Sequence, residues 1–241
     1  MDAAISGRGT HAFHLNYLEV TGRAATHVRD VPDPRCVLHV RAAEALIAMR
    51  NAARTDGIDL DVVSGFRDFN RQLAIWSAKF NGSRALLDAS GCEINRADLY
   101  ESALIDAILT WSALPGASRH HWGSELDVID TAALPAGRQP QLHPAEFAGG
   151  GCFERLNGWL DSNMRQFGFF RPYATFRGGV QPEPWHLSYA AVSVPALEVL
   201  SLEVLAEALE GADLPGKQTV LARLPELYHR YVLAVDEPRA A

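Results

Sequence analysis

The sequence predicts an α+β fold: a small central antiparallel sheet flanked by helices, with a helical C-terminal extension. Three observations lead there. Short strand-like segments recur at 58–62, 126–130, 169–173 and 185–189. Helical periodicity fills the stretches between them without the regular spacing of βαβ units. Beyond Pro195 the pattern turns wholly helical.

Taken in order, the first forty residues read as irregular, with His11, His14 and His27 scattered among Gly, Thr and Arg. From Leu38 the apolar positions Ala42, Ala45, Leu46, Met49 and Ala53 recur at helical spacing, and Asp56-Gly57 closes the element. Ile58, Leu60 and Val62 alternate with Asp59 and Asp61, as in a strand with one buried face. A second helix is expected over 69–80, with Leu73, Trp76 and Phe80 on one side, and then a loop over 81–97. A third helix follows over 98–111 and stops at Leu114-Pro115-Gly116. The strand at 126–130 carries Asp127 on the face opposite Leu126 and Val128. Residues 131–151, rich in Pro, Gly and Ala, read as an exposed loop. An amphipathic helix over 153–167 ends at Gly168. Two strands come next, and then helices at 196–210 and 217–234 separated by Leu214-Pro215-Gly216.

The 241 residues suit one large domain or a core with an appendage. A hydrophobic fraction of 48% provides an ordinary core, and a net charge of −7 without any basic run argues against nucleic acid as a partner. No segment approaches the ~20 apolar residues of a membrane span. Residues 1–9 show neither a basic nor an apolar signal region, so the expected location is cytoplasmic, or periplasmic if a signal segment is missing. Cys36, Cys92 and Cys152 are odd in number and far apart, as isolated thiols are. Nothing assigns an oligomeric state.

Two segments carry chemistry. One is Ser118-Arg119-His120-His121-Trp122-Gly123-Ser124-Glu125-Leu126-Asp127, the other Glu183-Pro184-Trp185-His186. Together they can supply a histidine, an aspartate and a second histidine, with Glu183 to spare. That is the inventory of a catalytic zinc site, which needs three protein ligands, an open position for water and a carboxylate for its proton. A loop followed by a strand lets His120 and Asp127 converge, and His121 competes with His120 for the role. Pro184 biases Glu183 toward polyproline geometry, whose three-residue turn places Glu183 and His186 on one side. Either segment alone is commonplace in proteins of any function; the two in order, with Arg67 upstream, are not. Ser118 and Arg119 are placed to bond substrate or backbone. Arg67 offers a planar fork suited to a carboxylate, the favoured reading over a structural salt bridge to Asp68 or another acid. Trp122 and Trp185 read as packing beside the site. His11, His14, His27, His39, His143 and His229 have no matched partners and read as surface or core residues.

Ser64-Gly65-Phe66-Arg67 with Gln72, then the 118–127 segment, then Glu183-Pro184-Trp185-His186 resemble the VanY-like D-alanyl-D-alanine carboxypeptidases. These belong to the group of zinc peptidases that includes VanX dipeptidases, lysostaphin-type endopeptidases and the hedgehog domain. The resemblance covers roughly residues 40–190 and implies one Zn2+ per chain held by His120, Asp127 and His186. It further implies Glu183 as general base, Arg67 at the substrate carbonyl or C-terminal carboxylate, and Ser118 and Gln72 assisting. Of the two candidates it selects His120. The expected domains are a zinc peptidase domain over 1–190 and a helical extension over 191–241 packed on it. The expected activity is release of a terminal D-alanine from a peptidoglycan-derived stem peptide. The alternatives are an L,D-carboxypeptidase, a dipeptidase, an endolysin-like endopeptidase, and a zinc-binding module without catalysis. Ligand type also admits other divalent ions. Two positions depart from the family pattern. Glu125 replaces a small residue two positions before Asp127, and Asp68 stands where a small hydroxyl residue is usual.

Overall fold

The computed structural model describes residues 14–238; His11 lies outside them. A one-turn helix α1 (Tyr17–Val20) leads into a hairpin of β1 (Val28–Pro32) and β2 (Arg35–His39). Next come α2 (Val40–Thr55), β3 (Leu60–Ser64) and α3 (Phe69–Phe80). A small hairpin, β4 (Leu86–Leu87) with β5 (Glu93–Ile94), precedes α4 (Glu101–Leu109). A 3₁₀ turn (Arg119–Trp122) feeds β6 (Glu125–Asp130), followed by α5 (Pro144–Phe147) and α6 (Glu154–Asn163). After β7 (Phe169–Phe170) and β8 (His186–Tyr189), the chain ends in α7 (Ala190–Val199), α8 (Leu202–Glu210), α9 (Lys217–Ala222) and α10 (Leu224–Tyr228), the last running into a π-helical turn (His229–Leu233). The architecture is α+β, as the sequence predicts.

The central sheet is antiparallel in the order β3-β6-β8-β7. All six residues of β6 are buried, so this strand has covered faces on both sides. Its two faces differ because successive side chains alternate. Leu126 and Val128 join Leu187 in an apolar cluster with Leu46 and Met49 of α2 and Leu156 and Leu160 of α6. The opposite face carries Glu125 and Asp127, paired across to Ser188 and His186. A bulge in β3 lets Ser64 stand opposite Asp127 while Val62 still pairs with Val128. Gly123, in the left-handed region at φ 65°, joins the 3₁₀ turn to β6. A side chain there would collide with Val28 Cγ1 and the His39 amide, so the first hairpin can lie against this turn only at a glycine.

A second apolar cluster joins α3 and α4 to the C-terminal helices: Phe69, Trp76, Ile105 and Ile108 pack with Val192, Leu205, Leu209 and Leu227. Trp76 is fully enclosed and donates its indole N–H to the Pro215 carbonyl at 3.0 Å. Among the described residues no helix is long and apolar enough to cross a membrane.

Several local expectations need correction. The region before residue 40 is not wholly irregular: β1 and β2 pair over Val28–His39, and Pro32 and Pro34 masked the alternation. The 81–97 and 131–151 loops contain the β4–β5 hairpin and α5, elements too short for periodicity to register. Helix α7 starts at Ala190, ahead of Pro195, because burial of Val192 and Ala196 outweighs one missing hydrogen bond. The break falls at Leu200, and Ser201 caps α8 by accepting from the Val204 amide.

Leu205, fully buried on α8, tests whether the C-terminal helices share the core. Leu205→Ala should lower stability by about 2–5 kcal/mol. Denaturant unfolding followed by far-UV circular dichroism and tryptophan fluorescence should give one coincident transition. Two separate transitions would contradict a shared core.

Candidate active site

Sheet register builds the centre of the site. Asp127 and His186 are directly opposite each other on β6 and β8, a pairing that brings Cβ atoms to about 4.5–5.5 Å. His186 Nδ1 lies 3.2 Å from Asp127 Oδ1. His120 enters from the 3₁₀ turn, with Nε2 3.4 Å from Asp127 Oδ2. Ligand atoms of the three residues all fall within 4.8 Å of one another, and all three residues are buried. Glu183 Oε2 sits 3.3 Å from His186 Nδ1. The Glu183–His186 juxtaposition comes from a turn and not from polyproline geometry: the His186 amide donates to the Glu183 carbonyl at 3.1 Å. Pro184 suits such a turn because its φ is already set.

The outward ring nitrogens are equally committed. His120 Nδ1 lies 2.7 Å from the Gly65 carbonyl oxygen, an acceptor only, so Nδ1 carries the proton and Nε2 presents a lone pair. His186 Nε2 lies 2.8 Å from Glu125 Oε2, which leaves Nδ1 to face Asp127 and Glu183. His121 is different. Its Nδ1 donates to the Arg67 carbonyl at 2.6 Å and its Nε2 accepts from the Gly116 amide at 3.1 Å. Both nitrogens hold backbone, so His121 is a clamp between the arginine segment and the loop before the 3₁₀ turn.

Arg67 does not pair with Asp68. It donates from Nη2 to Asp127 Oδ2 at 2.8 Å and from Nε to Ser64 Oγ at 2.9 Å. Asp68 instead caps α3, accepting from the Arg71 amide at 2.7 Å, the same service a serine or threonine gives there. Arg119 does not reach toward substrate. It is buried, stacked over Trp122 at 4.6 Å, and bonded to Ser188 and Glu125. Ser118 is buried at the head of the 3₁₀ turn, with no side-chain cap bond. Gln72 is fully enclosed on α3 and donates to the Ala113 carbonyl at 2.9 Å, which ties it to the loop framework. Trp122 and Trp185 are both buried packing residues. Of the unmatched histidines, His14 and His229 are exposed, while His27 and His39 are buried.

Electrostatics follows this geometry. Burial raises the Glu183 carboxyl above its ordinary value, with Asp127 adding to the effect and His186 opposing it. Burial works against ionising Asp127 too, but His120, His186 and their hydrogen bonds outweigh it and hold the carboxyl well below the usual range. His186 is pushed down by burial and pulled further up by bonds to Asp127, Glu125 and Glu183. The cluster therefore favours positive charge at its centre. Tyr173, expected only as the end of a strand over 169–173, lies beyond β7, sets its ring against His186 at 5.1 Å, and has its phenol pushed up to about 12 by burial. No motif marked it, since only the fold brings it near. A cleft of about 550 Å³ lies on the α5–α6 side, lined by Trp111, Phe147, Asn157, Asp161, Arg171 and Tyr173, and none of His120, Asp127, Glu183 and His186 lines it.

Two inward imidazole nitrogens and a carboxylate converge, with a second carboxylate of raised pKa alongside. A mixed α/β fold carrying this set belongs with the hydrolases that work on a polarised carbonyl. Comparison with known proteins narrows the class. The family model of the VanY D-alanyl-D-alanine carboxypeptidases matches residues 35–192, and this chain belongs to that family, a family of peptidases. An uncharacterised protein of Haemophilus influenzae is 34% identical over 126 residues, 52% of this chain and 96% of that protein. A D-alanyl-D-alanine carboxypeptidase of Enterococcus faecalis is 30% identical over 159 residues, 64% of this chain and 49% of its own length. Among solved structures, VanYB in complex with D-alanine-D-alanine matches with a TM-score of 0.49 and 25% identity, over 77% of this chain and 89% of that one.

Burial holds the His121 pKa at about 4, against an ordinary value of 6.5. As pH falls below 6.5 the unfolded chain takes up this proton first, so stability present above 6.5 is lost progressively down to about pH 4. The loss amounts to roughly 3 kcal/mol. His121→Phe should lower stability at neutral pH by about 1–3 kcal/mol through its unpaired backbone groups and remove this share of the acid slope. Urea denaturation at pH 7, 6, 5 and 4 measures both.

Proposed function

We propose that the protein is a zinc-dependent D-alanyl-D-alanine carboxypeptidase that removes the terminal D-alanine from peptidoglycan stem peptides. The observation that carries this reading is the convergence of His120, Asp127 and His186 with Glu183 beside them. The activity that names the family and the Enterococcus relative supports the D,D bond as the one cut.

The donor chemistry fits a divalent ion. Each histidine spends its outer nitrogen on an acceptor, which turns His120 Nε2, His186 Nδ1 and the Asp127 carboxylate toward one point. His120, Asp127 and His186 would hold the ion. Bound there, it would supply Lewis-acid polarisation and a more acidic water. Glu183 takes the proton of the attacking water and returns it to the leaving amine of D-alanine. Its raised pKa brings it toward the range where a carboxyl can do both at neutral pH. Arg67, about a quarter exposed and anchored on Ser64 and Asp127, lies at the rim, where its fork meets the carbonyl oxygen or the terminal carboxylate of the substrate.

The test is mass spectrometry of muropeptide pentapeptide and tetrapeptide incubated with the protein, with and without a chelator. The expected result is loss of one alanine from the pentapeptide alone, abolished by the chelator and restored by zinc. Alanine released only from the tetrapeptide would make the enzyme L,D-specific, and cleavage of neither would point to an endopeptidase or a binding module. Glu183→Ala should retain one zinc per chain and lose about 10²–10⁴-fold in kcat. Arg67→Lys keeps the charge but loses the fork, and should lower kcat/KM by about 10²-fold at nearly unchanged zinc affinity.

A further inference from the structure

We infer that Glu125 is a positioning residue for His186, holding the imidazole in the tautomer and orientation that turn Nδ1 toward Asp127 and Glu183. The inference rests on the metal-peptidase reading and deepens it: where the family pattern places a small residue, this chain supplies an acidic partner for a metal-ligating histidine.

Strand register provides the starting geometry. Glu125 and Asp127 are two residues apart on β6 and share its polar face, while Ser188 and His186 face them from β8. Asp127 therefore meets His186 straight across, and Glu125 meets it on the diagonal, within reach of a long side chain. His186 Nε2 lies 2.8 Å from Glu125 Oε2. An ionised carboxylate only accepts, so Nε2 carries a proton and Nδ1 is the nitrogen turned toward Asp127 and Glu183.

Glu125 is itself fully held. It has no exposed surface. Oε1 accepts from Ser124 Oγ at 3.0 Å and from Ser188 Oγ at 2.8 Å. Oε2 receives Arg119 Nε at 3.4 Å in addition to His186. Arg119 Nη2 donates to Ser188 Oγ at 2.8 Å, and Ser188 Oγ lies 2.7 Å from Ser193 Oγ on α7. Four donors thus occupy the two oxygens, and the guanidinium balances the charge. This arrangement leaves Glu125 no freedom to swing into the metal position, as an acidic residue two positions from Asp127 otherwise might. Histidines that bind metal keep their orientation through such outer carboxylates, and loss of the partner costs 10–100-fold in metal affinity. His120 achieves the same with the Gly65 carbonyl; His186 has only Glu125.

The experiment uses the full chain and zinc itself, with affinity measured by competition against a chromophoric chelator. Glu125→Gln keeps the shape but sets an amide N–H₂ among donors. Glu125→Asp keeps the charge that balances Arg119 but withdraws the oxygens from Nε2. Both should bind zinc about 10–100-fold more weakly while remaining folded by circular dichroism. In ¹⁵N spectra of the zinc-loaded protein, the His186 Nε2 proton should be protected in the wild type and exchange-broadened in both variants. Reduced thermal stability with zinc affinity and the Nε2–H signal unchanged would overturn the inference and leave Glu125 a structural residue. If the wild type binds zinc no better than His186→Ala does, the metal reading itself fails and the inference falls with it.

Discussion

The β6–β8 register is the constraint on which everything else rests. Because side chains alternate with period two, one pairing puts Asp127 against His186, Glu125 against Ser188 and Leu126 against Leu187. A slip of one residue would turn the polar set into the apolar cluster beneath α2 and α6 and expose the leucines to the site. The two faces therefore enforce each other. Burial of Leu126, Val128 and Leu187 fixes the register, and the register delivers the chemistry. Other parts of the site hang from this frame by backbone bonds: the Arg67 amide donates to the His120 carbonyl at 3.2 Å, and the His39 amide to the Gly123 carbonyl at 2.8 Å.

Concentrating Glu125, Asp127 and Glu183 in one buried volume is costly unless cations answer them. The chain divides that compensation. Arg119 sits behind the sheet's polar face with Glu125, and Arg67 stands at the rim with Asp127. His186 lies between the carboxylates and touches all three. Its raised pKa and the depressed one of Asp127 have a common origin: the centre of the cluster is short of one positive charge. A proton can fill that deficit, and so can a divalent ion, which would displace it; metal uptake and proton release are then linked.

Much of this was legible in residue patterns, and the exceptions have physical reasons. The expected helix over 69–80 matches α3 at both ends because Asp68 is a strong cap and Asn81-Gly82 a clear stop. The strand at 126–130 was equally plain, whereas the helix expected to run to Gly168 ends at Asn163 and passes into a 3₁₀ turn that Gly168 closes. Segments of two to five residues, such as β1, β4 and α5, are too short to show a period. Side-chain partnerships were the least accessible. The pattern marked Glu125 as an added charge and Asp68 as a rival for Arg67, but only three dimensions show the first bonded to His186 and the second turned to the α3 amides. The resemblance selects His120 over His121, and the fold supplies the physical reason: His121 is sealed in by backbone, where a side chain at the left-handed Gly22 would strike its Nδ1.

The helices beyond the family-matched segment are joined to this site by covalent neighbours and by packing. A methyl placed on Gly116 would press on Leu205 of α8 and Phe69 of α3, and the Gly116 amide is one of the two backbone groups held by His121. The other is the Arg67 carbonyl. Ser193 of α7 closes the hydroxyl chain behind Glu125. Apolar packing of α7 and α8 thus bears on both the arginine side and the His186 side of the cluster. Protein interiors are close-packed and yield little to small volume changes, so a shift of these helices would be felt at both places together. On this argument the C-terminal helices brace the frame that holds His120, Asp127, Glu183 and His186, all of which lie before residue 190.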